Sequence, residues 1–187
     1  MLYSSPILKT PKWLYTKHLQ TIVPNVYRKV EGVQYARERI ETWDDDFLDL
    51  DWSCIGSHKI MIISHGFEGC SDRVYARGLV KILNANGFDV CVWNFRGCSG
   101  EDNRQFFGYH SGKTDDLDYV VQHVLKTKKY DEHYLIGISM GGNLTMKYLG
   151  EEKWNSGQQI ISAVAVSVPI HYETSFPHLI KGWNQID

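Results

Sequence analysis

Four continuous apolar segments, separated by segments with helical periodicity, constrain the fold of this chain more than any other feature. An apolar run without alternation is typical of a strand that is buried on both faces of a sheet. The regular succession of strand and helix predicts an α/β fold with a mostly parallel sheet and helices on both faces. The predicted strands are residues 59–64, 88–94, 133–138 and 160–168, and the predicted helices are residues 74–86, 114–126 and 141–150.

The preceding part of the chain has a different pattern, in which apolar and polar residues alternate. Residues 33–43 and 47–54 both have it, and the turn signal Asp44-Asp45-Asp46 separates them. This arrangement predicts an N-terminal antiparallel hairpin with one solvated face. A short helix is predicted over residues 13–22, in a segment that prolines interrupt. For the aromatic residues Tyr3, Trp13 and Tyr15, two roles remain open, namely covering the core or lining a substrate channel.

Composition excludes several classes of protein. The net charge of −2 gives no electrostatic reason to expect a nucleic-acid or anionic-membrane partner. The four cysteines form no C-x-x-C pair, and no metal or cofactor is predicted. No apolar run approaches the length of a membrane span, and the start of the chain lacks the features of a secretory signal. We therefore predict a cytoplasmic protein with reduced cysteines and no integral membrane segment.

The sequence Gly137-Ile138-Ser139-Met140-Gly141 matches G-x-S-x-G directly between a predicted buried strand and a predicted helix. In that context the motif forms a tight turn that lifts the serine hydroxyl above the sheet, beside the first amides of the helix. It predicts Ser139 as a nucleophile, with Gly137 and Gly141 at positions where a side chain would collide with backbone. The alternative is that Ser139 only caps the helix and the glycines only allow packing.

The segment His65-Gly66-Phe67-Glu68-Gly69 follows the first buried strand. A serine hydrolase needs a second backbone N–H for its oxyanion, and this type of loop supplies it. We predict that the N–H groups of Phe67 and Met140 form the oxyanion hole, and that Gly66 lets the backbone approach. The alternative is an ordinary strand-to-helix turn. We expect His65 to brace the loop rather than act as a general base.

Two adjacent carboxylates, Asp115 and Asp116, could be mistaken for a catalytic acid pair. They fall in the first turn of a predicted helix, where carboxylates satisfy free amides and interact favourably with the helix dipole. We therefore expect them to stabilise that helix terminus.

Several segments together resemble the YheT-like branch of the α/β-hydrolase superfamily in both order and spacing. Members of this branch are known or presumed serine esterases and lipases that act on acyl esters. The resemblance implies Ser139 as the nucleophile, Phe67 and Met140 as the oxyanion hole, and a small-molecule acyl ester as the substrate. The segments are residues 18–22, 37–52, 65–69, 94–100, 109–117 and 137–143.

The resemblance also implies a single α/β-hydrolase domain that is incomplete. We expect an N-terminal extension at about residues 1–30, a core at about 31–170 and the start of a cap region at about 171–187. The sheet would then stop after about strand six, leaving residues 160–168 as an edge strand that is apolar on both faces.

The family takes its catalytic acid and histidine from later strands, in the order serine, acid, histidine. Within this chain only Glu173 followed by His178 keeps that order with room to reach the site, and a single loop would have to supply both. We therefore expect a fragment that is inactive alone, from a parent enzyme that hydrolyses carboxylic esters. The sequence does not distinguish the cleavage of thioesters or amides from the cleavage of esters. The other alternative is an inactive remnant that acts as a binding module.

Overall fold

The computed structural model describes residues 9–106, 108–127, 129–151, 160–171 and 173. Each predicted strand and helix from Lys59 onward is present, with bounds that differ by a few residues at most. The elements are α1 (Lys17–Tyr27), β1 (Ala36–Glu41), β2 (Phe47–Ser53), β3 (Lys59–Ser64), α2 (Val74–Ala85), β4 (Asp89–Trp93), α3 (Asp115–Thr127), β5 (Glu132–Ile138), α4 (Met140–Gly150) and β6 (Ile160–Val166).

The strands form one sheet in the order β1-β2-β4-β3-β5-β6. Strand β2 pairs antiparallel with β1 and β4, and the other neighbouring strands pair in parallel. This confirms the predicted mostly parallel sheet with an antiparallel hairpin. The predicted solvated face is wrong for β2, where Asp49 and Asp51 are buried because β1 and β4 cover both edges and the two carboxylates bind Arg39 and Arg37. Strands β3 and β5 are direct neighbours in register, with Ser64 opposite Gly137. The loops that follow these two strands therefore leave the same edge of the sheet side by side.

The core lies on both faces of the sheet. Within β3, Ile60 and Ile62 point to one face and Met61 and Ile63 to the other, as the period of a strand requires. The first face packs on residues of α3 and α4, and the second packs on α2. Burial on both faces explains why the strands are continuous apolar runs in the sequence.

A buried guanidinium joins the hairpin to the rest of the fold. Arg96 hydrogen-bonds the carboxylates of Asp44, Asp46 and Asp116, and its side chain is almost fully buried. The bond to Asp116 is the main cause of the raised pKa of Arg96. Burial opposes ionisation of Asp46, but hydrogen bonds from Asn103 and from backbone amides, with the charge of Arg96, hold its pKa low.

This network corrects the predicted role of Asp116. Its carboxylate binds Arg96, a residue of the loop after β4, instead of serving only its own helix terminus. The predicted turn at Asp44-Asp45-Asp46 is confirmed, and Asp45 adopts a φ of 59° there. The carboxylates of Asp44 and Asp46 have the additional role of accepting hydrogen bonds from Arg96.

Helix α1 begins and ends later than predicted, at Lys17–Tyr27 rather than at residues 13–22. The Thr16 side chain accepts a hydrogen bond from the N–H of Leu19 and so fixes the start of the helix. The helix continues through Pro24 to Tyr27, past the predicted end at residue 22. Proline removes one N–H donor from the helix, and in an exposed helix water can bond the carbonyl that loses it.

Strand β6 lies at the edge of the sheet, as predicted, and pairs with β5. Ile161, Val164 and Val166 are about half exposed there. The predicted cap region at 171–187 lies almost entirely outside the described residues. Among the residues that are described, no helix combines the length and the apolar character needed to cross a bilayer.

Candidate active site

The two sequence motifs meet at the carboxyl edge of the sheet. Because β3 and β5 end side by side, the loop at 65–69 lies against the turn at Ser139. A Cβ atom placed on Gly66 would lie 3.5 Å from the Cβ of Ser139 and 3.6 Å from the carbonyl oxygen of Ile138. The structure thus brings together the predicted nucleophile and the loop predicted to supply part of the oxyanion hole.

The backbone of Ser139 has an unusual conformation. Its φ is 53° and its ψ is −116°, a region that residues other than glycine rarely adopt and that occurs at functional sites. The side chain of Ser139 makes no capping hydrogen bond to α4. An ordinary helix-capping serine has extended backbone and bonds the first amides, so the capping interpretation does not describe this residue.

Two glycines make the turn possible. A Cβ on Gly137 would overlap the carbonyl of Gly141 and lie 2.5 Å from Oγ1 of Thr145. A Cβ on Gly141 would overlap the carbonyl oxygens of Ser64 and His65 at the end of β3. Both predicted collisions are therefore present, and the second shows that Gly141 lets α4 approach the loop at 65–69.

The loop at 65–69 is held by two tyrosine hydroxyls. The N–H of Gly66 donates to Oη of Tyr75 at 3.0 Å, and the N–H of Glu68 donates to Oη of Tyr109 at 3.0 Å. The N–H of Gly69 donates to the carbonyl of Gly66 and closes the turn. Between these bonded amides, the Phe67 N–H has no hydrogen-bond partner in the described part of the chain.

The Met140 N–H is in the same situation. It is the first amide of α4, and within the described ranges no acceptor is bonded to it. The first amides of a helix have no acceptor within the helix and carry the positive end of its dipole. Within the described residues, the N–H groups of Phe67 and Met140 are thus both unpaired, and they belong to the two loops that meet at Ser139. Such a pair of donors can accept a developing oxyanion.

His65 is fully buried and both of its ring nitrogens are occupied. Nε2 lies 3.1 Å from the N–H of Phe95 and must accept, so Nδ1 carries the proton and donates to the carbonyl of Gly66 at 2.7 Å. Burial lowers the pKa of His65 to about 4, so the ring is neutral near pH 7. A ring bonded in this way braces the loop, as expected, and is not free to accept a proton from Ser139.

Tyr75 and Tyr109 are the residues of this site that sequence reasoning missed. Tyr75 is in the first turn of α2, and Tyr109 is in the loop before α3; no local pattern marks either. Burial raises the pKa of Tyr109 to about 12 and also raises that of Tyr75, so both hydroxyls stay protonated at neutral pH. Tyr109 belongs to one of the segments that carried the family resemblance, which was the only available signal.

Other predicted residues are not assembled here. Among the described residues, Glu173 makes no contact with Ser139. His178 lies outside the described residues. Tyr3 also lies outside them. Trp13 and Tyr15 are 61% and 79% exposed, so they do not cover the core.

Comparisons with known proteins agree with this architecture. Residues 56–186 match the model of a family described as serine aminopeptidase, S33. The chain is 34% identical over 173 residues to the Escherichia coli protein named "Putative esterase YheT", covering 90% of this chain and 50% of that protein. It is 34% identical over 127 residues to monoacylglycerol lipase of Saccharomyces cerevisiae, covering 67% of this chain and 27% of the lipase.

Among solved structures, the Pyrococcus furiosus esterase Pf2001 superposes with a TM-score of 0.67 at 25% identity. That match covers 81% of this chain and 58% of the esterase. The α/β hydrolase GrgF of a Penicillium species superposes with a TM-score of 0.63 at 19% identity, which supports the fold alone. The chain spans half the length of the E. coli relative and less of the yeast lipase.

Proposed function

This chain belongs to the serine aminopeptidase S33 family of α/β hydrolases, and we propose that the protein hydrolyses carboxylic esters through an acyl-enzyme at Ser139. The observation that carries the proposal is the backbone of Ser139. Its strained turn, with φ at 53° and no capping bond, meets the loop at 65–69, and each of the two offers an N–H that has no acceptor among the described residues. A serine that served only the fold would not need this conformation.

The proposed reaction has two halves. The Oγ atom of Ser139 attacks the acyl carbon, its proton passes to a general base, and the N–H groups of Phe67 and Met140 hold the oxyanion. The tetrahedral intermediate collapses, the alcohol leaves with a proton from the base, and an acyl-enzyme remains. Water then attacks the acyl carbon in the same way, releases the carboxylic acid and restores the hydroxyl of Ser139.

The general base in this proposal is a histidine that follows β6 in the sequence. The order serine, acid, histidine is usual for this fold. His65 is unsuitable, because its two nitrogens already bond Gly66 and Phe95. Of the residues that the structure describes, no histidine is hydrogen-bonded to Ser139.

We propose esters rather than peptides as substrates because of how the relatives are named. Although the family model is described as an aminopeptidase, the relatives above are named as an esterase and a monoacylglycerol lipase, and the Pyrococcus structure is an esterase. A small acyl ester is therefore the proposed substrate. A panel of p-nitrophenyl esters compared with aminoacyl p-nitroanilides separates ester from amide cleavage.

The test uses the natural gene product and two serine variants. Ser139→Ala removes the proposed nucleophile and is expected to reduce kcat on p-nitrophenyl esters by about a million-fold, to the background rate. Ser167→Ala is the matched control, because Ser167 also has a positive φ, 51°, but lies at the end of β6 outside the elbow. It is expected to retain activity. Equal activity of Ser139→Ala and the unmodified protein would refute the proposal.

A further inference from the structure

The segment that precedes β1 differs in charge from the rest of the chain. Residues 1–30 contain no Asp or Glu. Because the whole chain has a net charge of −2 and this segment contributes +5, the remaining residues carry −7. No ion pair involving its basic residues is present in the described part of the chain. The basic residues are Lys9, Lys12, Lys17, Arg28 and Lys29.

The same segment exposes large apolar and aromatic side chains. Trp13 is 61% exposed, and on α1 Ile22 is 52% and Val26 is 64% exposed. Ile22 and Val26 are four residues apart and therefore lie on one face of the helix. No residue of α1 is buried. Tyr15 and Tyr27, near the two ends of α1, are each more than three-quarters exposed.

The helix is nevertheless attached to the domain. Leu19 and Val23 are half-buried, and the guanidinium of Arg28 lies over Gly78 of α2. The face with Ile22 and Val26 is adjacent to this contact and turned to solvent. The segment thus presents apolar and aromatic side chains outward, with lysines before and after them, from a fixed position on the domain.

We propose that residues 9–29 form an interfacial segment that binds the surface of an anionic lipid bilayer. Tryptophan and tyrosine are favoured at the boundary between headgroups and acyl chains, and an amphipathic helix with a basic polar face lies in that plane. Lysines near the surface attract anionic headgroups. The whole-chain charge pointed away from such a partner, because the acidic remainder masks the basic segment.

Two other occupants fit this surface less well. The centre of a protein interface is depleted of lysine, whereas lysines bracket these apolar side chains. A second copy of the chain would bring one basic segment against another, and like charges in contact oppose association. The proposal is independent of the role of Ser139, because the segment contains none of the proposed catalytic groups.

The test measures binding of the full chain to vesicles. Phosphatidylcholine vesicles with and without about one third phosphatidylglycerol are sedimented with the protein at low and high salt. We expect binding to the anionic vesicles at low salt, weaker binding at high salt because counterions screen the lysines, and no binding to neutral vesicles. Absence of binding to the anionic vesicles at low salt would overturn the proposal.

Two double variants with the same net charge separate the segment from overall charge. Lys12→Glu with Lys17→Glu is expected to reduce the partition coefficient by at least about 30-fold, from about five-fold for each lysine. Lys126→Glu with Lys129→Glu changes exposed lysines outside the N-terminal segment, near the end of α3, and is expected to bind like the unmodified chain. An equal loss in both variants would show that only net charge matters and would contradict the proposal.

The apolar contribution is tested with Ile22→Ser and Val26→Ser together. These side chains are exposed, so circular dichroism should show an unchanged fold, and binding to anionic vesicles should fall. Trp13→Phe should remove most of the blue shift of tryptophan fluorescence on binding. If the serine variant binds vesicles normally but dissociates a dimer in analytical ultracentrifugation, the face joins two copies and the proposal is wrong.

Discussion

The two loops that meet at Ser139 are held by different kinds of interaction. The elbow depends on space, because Cβ atoms at Gly137 and Gly141 would overlap backbone carbonyls. Around Gly66, the loop at 65–69 depends on hydrogen bonds, from the ring of His65 and to the hydroxyls of Tyr75 and Tyr109. At its end, Gly69 is restricted as the elbow is, because a Cβ there would lie 2.9 Å from the carbonyl oxygen of Gly66. Steric exclusion of backbone cannot be relieved by small movements, whereas a lost hydrogen bond can be replaced partly by water. The elbow glycines should therefore tolerate substitution less than Gly66.

The largest expected effect is that of adding one methyl group to the elbow. Gly141→Ala would overlap two carbonyl groups at the end of β3, and we expect it to lower the free energy of unfolding by about 3 kcal/mol or more. Urea titration followed by circular dichroism measures it.

The matched variant adds the same methyl group to the other loop. At Gly66 the nearest atoms would be at 3.5 Å or more, an ordinary contact, so Gly66→Ala should change stability by less than about 1 kcal/mol. It should instead reduce the activity, because the methyl group faces Ser139. Equal destabilisation by the two substitutions would break the distinction between the loops.

The second effect is a dependence of stability on pH through His65. Its pKa is lowered from 6.5 to about 4 in the fold, so the unfolded chain binds a proton first as the pH falls. Stability from this group is complete above about pH 6.5 and is lost progressively down to pH 4. Between pH 6.5 and 5 the expected loss is about 2 kcal/mol.

Unfolding curves of the unmodified chain and His65→Gln across this range check the assignment. Glutamine does not titrate, so the slope of stability against pH should decrease in the variant. It should not vanish, because burial also lowers the pKa of His133. His18→Gln makes the same substitution on the exposed helix α1 and is the matched variant for comparison. A slope unaffected by His65→Gln would show that His65 is not the buried brace described here.

The smallest effects are those of the tyrosine hydroxyls. Tyr75→Phe leaves the N–H of Gly66 without its partner in a partly buried place, at an expected cost of about 1 kcal/mol. Tyr109→Phe removes a more exposed bond to Glu68 and should cost about 0.5 kcal/mol. Both should reduce activity more than stability, because they free the amides on either side of Phe67. If a variant with both Tyr75→Phe and Tyr109→Phe kept full activity, the loop at 65–69 would not depend on the two hydroxyls.

The same contrast explains what the sequence could predict. The elbow, the strand ends and the course of the sheet depend on glycine positions and apolar runs, which are local patterns. Ser139, Gly137 and Gly141 were therefore found directly. The bond between Tyr109 and Glu68 of the other loop joins distant parts of the chain, and so does the bond between Asp116 and Arg96 in the network under the hairpin. Nothing in the neighbourhood of one partner indicates the other.

The N-terminal helix illustrates a second reason why part of the fold could not be predicted from the sequence. The prediction placed the helix over residues 13–22, in a segment that prolines interrupt, yet the exposed helix continues past Pro24 to Tyr27. Exposure reduces the cost of the missing N–H, and exposure is a property of the whole fold. The basic character of the same segment was hidden in a near-neutral total charge for a comparable reason, since an average over the chain says nothing about position.

The most direct test of the account is a crystal structure of the natural gene product after reaction with an alkyl phosphonate. We predict a phosphonyl group bonded to Oγ of Ser139, with its oxygen between the N–H groups of Phe67 and Met140 at about 2.7 to 3.1 Å from each nitrogen. A phosphonate on Ser139 whose oxygen faces away from both amides would contradict the joint role of the two loops. Reaction at another residue would contradict the assignment of Ser139 itself.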